Sequence, residues 1–328
     1  MKTETPPHTP PVKQGQPLKV GTRGSPLARQ QTATFIALLR QICPALGRTE
    51  MFDEHIITTT GDAVQNRPLA EIGGKGLFAK EIHEALAERR IDFAVHSLKD
   101  LETVLPRGIA LACTLKREDA RDVLILPPGT QVDPADPYGA LANGANIGSA
   151  SVRRQAQLKY ARPDLNFSLL RGNVGTRLAK VENREVDATL LAYAGLRRLG
   201  LAEKASVVLS TEQMVPSACQ GIVGITVRTD DVKLHELLAA IEDPEAKAVA
   251  TAERALLLAL DGSCRTPIGG YARLMEDGAL HLTGLVARAD GSFLLQRSAT
   301  GPVAEAEALG RELGRELKRD SPPDIFAP

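Results

Sequence analysis

Apolar residues recur along the first third of the chain with the spacing of short strands followed by helices. A strand beginning at Leu18 runs into a polar glycine loop, and Ser25-Pro26 then supplies a helix N-cap and a proline at the first helical position. This pattern predicts a helix to about Cys43. The apolar positions that it places near one face are Leu27, Phe35, Leu38 and Ile42.

The next apolar repeat has four-residue spacing. Phe78, Ile82 and Leu86 predict a helix, and the segment 91–95 alternates apolar and other residues like a strand. That strand leads directly into His96-Ser97-Leu98-Lys99-Asp100. Charged side chains are therefore predicted where a strand ends.

The same order of elements returns downstream. Residues 166–170 and 187–192 read as strands, with a loop at 171–173 and a helix at 174–183 between them. Strands that alternate with helices indicate βαβ units and mainly parallel sheets, in which ligands gather beyond the carboxyl ends of the strands. The proline- and glycine-rich stretch 127–148 interrupts this order and predicts a long surface loop.

The last part of the chain has a different pattern. A helix rich in alanine and leucine is predicted after Asp243-Pro244 and ends at Leu260, and another helix is predicted at about 303–319. Between them, Asp277-Gly278 and Asp290-Gly291 separate strand-like runs and predict hairpin turns. A small α+β unit is expected.

Length and composition narrow the alternatives. A chain of 328 residues predicts two or three domains. We expect a disordered, proline-rich tail at 1–17, a first domain at 18–115 plus 222–240, a second at 120–215 and a third at 244–328. The absence of a long apolar run or signal peptide favours a cytoplasmic protein without membrane contact. Neutral net charge and the lack of tryptophan disfavour a nucleic-acid partner.

Basic residues are the clearest candidates for binding. Several lie near predicted helix starts, where backbone N–H groups add to the attraction for anions. Although each alone reads as a solvated surface charge, together they predict a small polyanionic ligand. The basic residues in glycine-, serine- or asparagine-containing loops are Arg23, Lys75, Lys99, Arg153, Arg154, Arg171 and Arg177.

Other side chains offer chemistry with weaker local signals. Asp100 is a candidate acid/base or cation-stabilising carboxylate, or a turn-capping residue. Cys264, in a loop beside Arg265, is the most reactive candidate thiol. The other cysteines read as buried, and no spacing indicates a metal site or a disulfide framework. His96 reads as a structural, hydrogen-bonded histidine, and Gly73 to Gly76 lacks the pattern of a nucleotide phosphate loop.

Taken together, these segments resemble the hydroxymethylbilane synthase (porphobilinogen deaminase) family. The resemblance runs from about Leu18 to the last predicted strands. The matching segments are 22–28, 73–78, 95–100, 148–157, 170–178, 194–196, 220–221 and 262–269.

The resemblance implies a transferase that joins four porphobilinogen molecules head to tail, with loss of ammonia, in tetrapyrrole biosynthesis. It implies a monomer with two βαβ-type lobes, similar to two-lobed solute-binding proteins, plus a small α+β C-terminal domain. A dipyrromethane cofactor would be attached to Cys264, and Asp100 would be catalytic. The cofactor would further contact Lys99, Ser151, Arg153, Arg154, Arg171 and Gly172. The substrate and the growing polypyrrole chain would contact Arg23, Ser25, Lys75, Arg177 and Gln220.

Two positions depart from the family pattern. Glu71 stands where lysine is common, and Leu101-Glu102 stands where proline often follows the aliphatic residue. A binding module for a small anion, without catalysis, is the competing hypothesis. Cys264 and Asp100 argue against it.

Overall fold

The computed structural model describes residues 16–43, 46–47, 49–64, 67, 76–260 and 266–326. Its strands are β1 (Leu18–Thr22), β2 (Phe52–Ile56), β3 (Phe93–Ser97), β4 (Ile109–Thr114), β5 (Asp122–Ile125), β6 (Asn146–Gly148), β7 (Asn166–Ser168), β8 (Ala188–Ala192), β9 (Val207–Val208), β10 (Val223–Arg228), β11 (Ile268–Leu274), β12 (Leu280–Ala287) and β13 (Leu294–Gly301). Its helices are α1 (Pro26–Ile42), α2 (Thr60–Ala63), α3 (Lys80–Ala87), α4 (Val152–Ala161), α5 (Val174–Glu182), α6 (Tyr193–Arg198), α7 (Val232–Ala239), α8 (Pro244–Leu260) and α9 (Ala306–Asp320).

The first lobe is built on a sheet with the order β2-β1-β3-β10-β4. Strand β1 runs parallel to β2 and β3, whereas β10 runs antiparallel to β3 and β4. The expectation of a mainly parallel sheet is confirmed, because β1, β2, β3 and β4 all point the same way and β10 opposes them. Strand β10 is the exception because it enters from the second lobe, so it does not follow a βαβ crossover within its own sheet.

The second lobe repeats this arrangement in the order β7-β6-β8-β5-β9. Strand β6 is parallel to β7 and β8, and β5 is antiparallel to β8 and β9. The predicted surface loop at 127–148 was wrong at its end, because residues Asn146–Gly148 form β6. Leu141 and Ile147 are buried in the core of this lobe, which explains why that end of the segment is ordered as sheet.

The third unit has an antiparallel sheet, β11-β12-β13, as the two Asp-Gly turns predicted. Gly278 and Gly291 adopt φ values of 80° and 78°, in the region that glycine enters without steric cost. Leu256 and Leu260 of α8 and Leu313 of α9 pack in one cluster with Leu282 of the sheet. The mixed α/β class with a smaller α+β unit is thus observed, while the exact domain boundaries stay a prediction.

Helix α1 shows how closely local signals set an element. Ser25 caps it by accepting a hydrogen bond from the Ala28 N–H at 3.3 Å, and Pro26 is the first helical residue. Phe35 and Leu39 face the core with no exposure, but Ile42 is 40% exposed. The predicted apolar face was wrong at Ile42, since Leu39 follows Phe35 by four residues and takes the buried position.

Other local predictions are confirmed. His96 is buried and its Nε2 lies 2.9 Å from the Thr226 hydroxyl. Among the described residues, Cys43, Cys113 and Cys219 are buried free thiols. These side chains have packing roles, as their sequence settings predicted.

Two connecting segments join the lobes. One lies between β4 and β5, and the other lies between β9 and β10. They meet where the Glu118 N–H donates to the Gly221 carbonyl at 3.0 Å. Arg117, next to this junction, forms an ion pair with the fully buried Glu253 of α8. Its Nη1 lies 2.6 Å from Glu253 Oε1. The pair joins the third unit to the connection between the lobes. Burial raises the pKa of Glu253, although the Arg117 charge opposes that rise.

Candidate functional site

A cavity of about 1170 Å³ lies between the two lobes. Its lining includes the expected site residues Arg23, Ser25, Lys99, Asp100, Ser151, Arg153, Arg154, Arg171, Gly172, Arg177 and Gln220. Lys75 and Cys264 lie outside the described residues. Thr266, the first residue described after the cysteine loop, also lines the cavity. The structure therefore gathers into one place residues that are far apart in sequence.

The turn that carries Lys99 and Asp100 is anchored by buried leucine side chains on either side of it. It is a short 3-10 turn after β3, and the side chains of Leu98 and Leu101 on its two sides are buried in the cluster formed with α8. The Leu98 N–H donates to the Ile222 carbonyl at 3.0 Å. This anchoring holds the Asp100 carboxylate at the cavity wall, where one third of its side chain stays exposed.

Lys99 lies in a less hydrated position than Asp100. Its Nζ donates to Gln220 Oε1 at 3.2 Å. Burial lowers the pKa of Lys99 to about 8, and the nearby charges of Arg153 and Arg154 act in the same direction, while Asp100 opposes them. Lys99 is therefore charged at neutral pH, and an anion that binds near it stabilises this poorly hydrated charge.

Asp122 is a buried carboxylate that contacts three side chains of the cavity lining. It has no exposure; Oδ1 accepts from Arg154 Nη2 at 2.7 Å and from Gln220 Nε2 at 3.0 Å, and Oδ2 lies 2.8 Å from Arg153 Nη1. Burial by itself would raise the pKa of Asp122, but the two arginines outweigh it and hold that pKa well below its usual range. Arg153 also donates to the Val215 carbonyl at 2.6 Å and Arg154 to the Leu190 carbonyl at 2.9 Å.

Several N–H groups of Arg153 and Arg154 thus donate hydrogen bonds to other groups of the protein. Both side chains are buried, and one carboxylate neutralises one of their two charges. Their remaining positive charge acts from the cavity floor, so it attracts anions without presenting a fully free guanidinium.

The second lobe adds the cations Arg171 and Arg177 to the cavity wall. Arg177 Nε donates to the Gly172 carbonyl at 2.9 Å, and burial lowers the pKa of Arg177 to about 10. Gly172 has a φ of 110°, a conformation that favours glycine. Helices α4 and α5 begin at this wall, capped by Ser151 and Asn173. Their free N–H groups add partial positive charge.

Arg23 forms the opposite wall, on the loop between β1 and α1. It pairs with Asp62, and its Nη1 lies 3.8 Å from Asp100 Oδ2. The guanidinium lies over the Phe78 ring, 4.2 Å from its centre. Burial alone would lower the pKa of Arg23, but the hydrogen bond with Asp62 raises it above its usual value. Arg23 is therefore charged and held on several sides.

Glu102, one of the two departures from the family pattern, follows the turn that carries Lys99 and Asp100. Its Oε1 is 3.4 Å from Nδ1 of the buried His83, and its carbonyl accepts from Arg254 Nη2 at 2.8 Å. Burial would raise the pKa of Glu102, but the His83 contact lowers it. Glu102 thus connects α3 and α8 and does not line the cavity. Glu71, the other departure, lies outside the described residues.

Sequence reasoning missed Asp62 and Asp122. Asp122 had a weak signal, since a carboxylate directly before the apolar run Val-Leu-Ile stands at the start of a buried strand. Buried carboxylates need cationic partners, so this position could have been paired with the basic set. Asp62 gave no such signal, because it stands in a short polar segment without periodicity.

Residues 18–236 match the family model described as "Porphobilinogen deaminase, dipyromethane cofactor binding domain", and residues 247–319 match "Porphobilinogen deaminase, C-terminal domain". The chain belongs to the porphobilinogen deaminase family. The match covers both lobes and the third unit, so the cavity described above belongs to the part of the chain that defines the family.

Individual relatives agree with this assignment. The chain is 45% identical to the porphobilinogen deaminase of Nitrobacter winogradskyi, with 94% of each chain covered. It is 44% identical to that of Paracoccus denitrificans, covering 94% of this chain and 96% of the relative. It is 43% identical to the chloroplastic porphobilinogen deaminase of Oryza sativa, covering 94% and 85%. Bacterial and plant members of the family therefore share nearly the whole chain.

A comparison with solved structures finds periplasmic binding proteins. An arginine transport-system binding protein from Legionella pneumophila covers 69% of this chain and 92% of its own, at 17% identity and a TM-score of 0.37. A sulfonate-binding protein from Methylobacillus flagellatus covers 74% and 68%, at 14% identity and a TM-score of 0.35. Among the described residues, no helix is long and apolar enough to cross a membrane.

Proposed function

We propose that this protein is a hydroxymethylbilane synthase, a transferase that condenses four porphobilinogen molecules head to tail with loss of ammonia. One observation carries the proposal: a member of the porphobilinogen deaminase family has, in one interlobe cavity, a wall of cations with the Asp100 carboxylate exposed among them. Each porphobilinogen brings an acetate and a propionate group, so the lengthening product accumulates negative charge. A cationic cavity in a protein of zero net charge fits that product.

The donor set also fits the family's dipyrromethane cofactor, which carries carboxylates of the same kind. Lys99, Arg171 and Arg177 offer charge at the wall, and the N-termini of α4 and α5 offer backbone N–H groups beside Ser151 and Gly172. Arg153 and Arg154 would contribute charge from the floor. Cys264 would hold the group through a thioether, and Thr266 on the cavity wall supports that assignment. When bound, the group supplies the free pyrrole α-position to which substrate units are added.

Asp100 would act on the incoming substrate. Breaking the carbon–nitrogen bond of the aminomethyl group releases ammonia and leaves positive charge delocalised onto the pyrrole nitrogen. A fixed carboxylate in a partly dry cavity stabilises that charge, and it can accept the proton that is lost when the new carbon–carbon bond forms.

Arg23, Ser25, Lys75, Arg177 and Gln220 would bind the substrate carboxylates and set the ring orientation. Arg23 and Gln220 are well placed, because Arg23 lies 3.8 Å from Asp100 and Gln220 accepts a hydrogen bond from Lys99. Grip on the ring substituents brings the reacting carbon toward Asp100, and such positioning lowers the entropic barrier of the reaction.

The protein is further proposed to be a cytoplasmic monomer of three domains. The monomeric state and cytoplasmic location are those expected from the resemblance, and the domains are those at 18–115 plus 222–240, 120–215 and 244–328. Light scattering during size-exclusion chromatography measures the first of these, and limited proteolysis at 115–121 and 240–244 tests the boundaries.

The deciding experiment compares intact mass and turnover in Cys264→Ala, Asp100→Asn and the control Cys43→Ala. Cys264→Ala should lack a covalent adduct that survives denaturation, and it should be inactive. Asp100→Asn should keep the adduct and lose turnover by at least about 10²-fold, the effect of removing one well-placed charged group. Cys43→Ala should keep both. An unmodified wild-type Cys264, or normal turnover in Asp100→Asn with adduct present, would contradict the proposal.

A further inference from the structure

Arg23 has a carboxylate partner within the protein, Asp62. Its guanidinium already holds a carboxylate: Nε lies 3.0 Å from Asp62 Oδ2 and Nη2 lies 2.5 Å from Asp62 Oδ1. Two parallel N–H···O bonds are the arrangement with which arginine binds the carboxylate of a ligand. Asp62 thus occupies the Nε and Nη2 donors of Arg23, a residue that the proposed function assigns to substrate carboxylates.

The arginine on the opposite lobe is engaged by the same stretch of chain. Arg171 Nη2 donates to the Gly61 carbonyl at 2.8 Å, and Arg171 Nη1 donates to the Arg67 carbonyl at 2.9 Å. Two arginines expected to bind substrate or cofactor carboxylates therefore contact one short part of the first lobe. The contacts of Arg171 also cross the cavity from one lobe to the other.

We propose that Asp62 is an exchangeable internal carboxylate, which occupies Arg23 until a carboxylate of the ligand displaces it. This inference rests on the proposed function, since it concerns the same cavity and the same class of ligand. Displacement of Asp62 loosens the stretch that Arg171 holds, so it favours separation of the lobes. Asp62 also lowers the affinity for any single carboxylate, because that carboxylate must compete with it.

The geometry allows this exchange. The Asp62 and Arg23 side chains are 27% and 22% exposed, so a ligand carboxylate can reach the pair from the cavity. Arg23 has other contacts that hold it in place without Asp62, namely the Phe78 ring and the charge of Asp100. The Thr59 hydroxyl donates to Asp62 Oδ2 at 2.8 Å and keeps the carboxylate directed toward Arg23.

A role in positioning alone gives the opposite expectation. If Asp62 only orients Arg23, its removal lets the guanidinium leave the site and weakens anion binding. If Asp62 competes with the ligand, its removal adds one unit of positive charge to the cavity and strengthens anion binding. The sign of the effect of Asp62→Asn on affinity therefore separates the two roles.

The experiment is calorimetric titration with citrate, a non-reactive tricarboxylate, at low ionic strength. Asp62→Asn should bind citrate about three- to ten-fold more tightly than the wild type, the range for gaining one partly exposed charge interaction. The gain should shrink toward about 0.5 M salt, because screening shortens the range of the charge. The control Asp230→Asn also removes one negative charge, but from an exposed pair with Arg89, and it should leave affinity unchanged.

Two further variants guard against a folding artefact. Thr59→Val keeps the Asp62 charge and removes its tether, so it should raise citrate affinity in the same direction by a smaller factor. In an Arg23→Gln background, Asp62→Asn should raise citrate affinity by a smaller factor than it does in the wild type, because competition for Arg23 is gone while the Asp62 charge still acts on Arg171. Circular dichroism and thermal unfolding identify any variant that is not folded.

Weaker or unchanged citrate binding in folded Asp62→Asn would overturn the proposal, as would an equal gain in the Arg23→Gln background. The Michaelis constant for porphobilinogen should fall by a factor similar to that for citrate. Citrate binding is measurable whether or not the protein consumes porphobilinogen, so failure of the proposed function is seen as lack of turnover with the citrate result unaffected.

Discussion

Replacing the buried Asp122 by asparagine is the most direct test of how the basic cavity is supported. The substitution keeps an oxygen for Arg154 and Gln220 but places an amide N–H group against Arg153 Nη1, which now lies 2.8 Å from Oδ2. Two buried guanidinium groups then have no counter-charge. Breaking a buried ion pair by removing one partner typically costs about 3–5 kcal/mol. We expect a loss of this size because Asp122 has no exposure and holds three side chains.

The pH dependence follows from the lowered pKa of Asp122. A carboxyl group with a folded-state pKa below its unfolded value stabilises the protein above the unfolded value, and this contribution is lost as the pH falls through the folded value. The difference between wild type and Asp122→Asn should therefore be full at neutral pH and should narrow as the pH falls below about 4. Urea unfolding followed by circular dichroism at several pH values measures it.

Asp119→Asn is a matched control. Asp119 pairs with Arg121, whose side chain is 43% exposed, so its loss should cost at most about 1 kcal/mol. A destabilisation by Asp122→Asn that is no larger than that of Asp119→Asn would refute the counter-charge argument. Citrate binding by the folded variant gives a second measurement, since misplaced Arg153 and Arg154 should weaken it.

Further predictions concern Lys99, Gly221 and Arg117. Because the pKa of Lys99 is about 8, the Michaelis constant for porphobilinogen should rise as pH increases from 7 to 9, and Lys99→Arg should shift that rise to higher pH; identical profiles would contradict the assignment. Gly221→Ala should destabilise the protein by at least about 2 kcal/mol, because φ is 89° and a Cβ would lie 2.3 Å from the Glu118 carbonyl oxygen; an unchanged urea midpoint would show that the junction adapts. Arg117→Gln should cost about 3–5 kcal/mol by leaving Glu253 buried without a counter-charge, and proteolysis at 240–244 should accelerate; an unaltered digestion rate would count against a role in joining the units.

Local chemistry in the sequence determined many of the elements. Ser25-Pro26 marked the start of α1, Asp243-Pro244 the start of α8, and Asp277-Gly278 a hairpin, because capping, proline geometry and positive φ act within a few residues. The basic residues in polar loops were also visible, since loops at strand ends expose their side chains. These signals, with the family motifs, are enough to predict which basic residues line the cavity.

Only the tertiary structure decided which carboxylates meet those cations. Asp122 and Arg154 are separated by 32 positions, and Arg23 and Asp62 by 39. The antiparallel direction of β10 likewise depends on pairing with strands more than a hundred residues earlier. Such contacts are set by the packing of whole lobes, in which a buried charge must find a partner wherever the fold brings one. The sequence around a charged residue does not identify a partner that lies many positions away, so only the folded lobes show which carboxylate meets which cation.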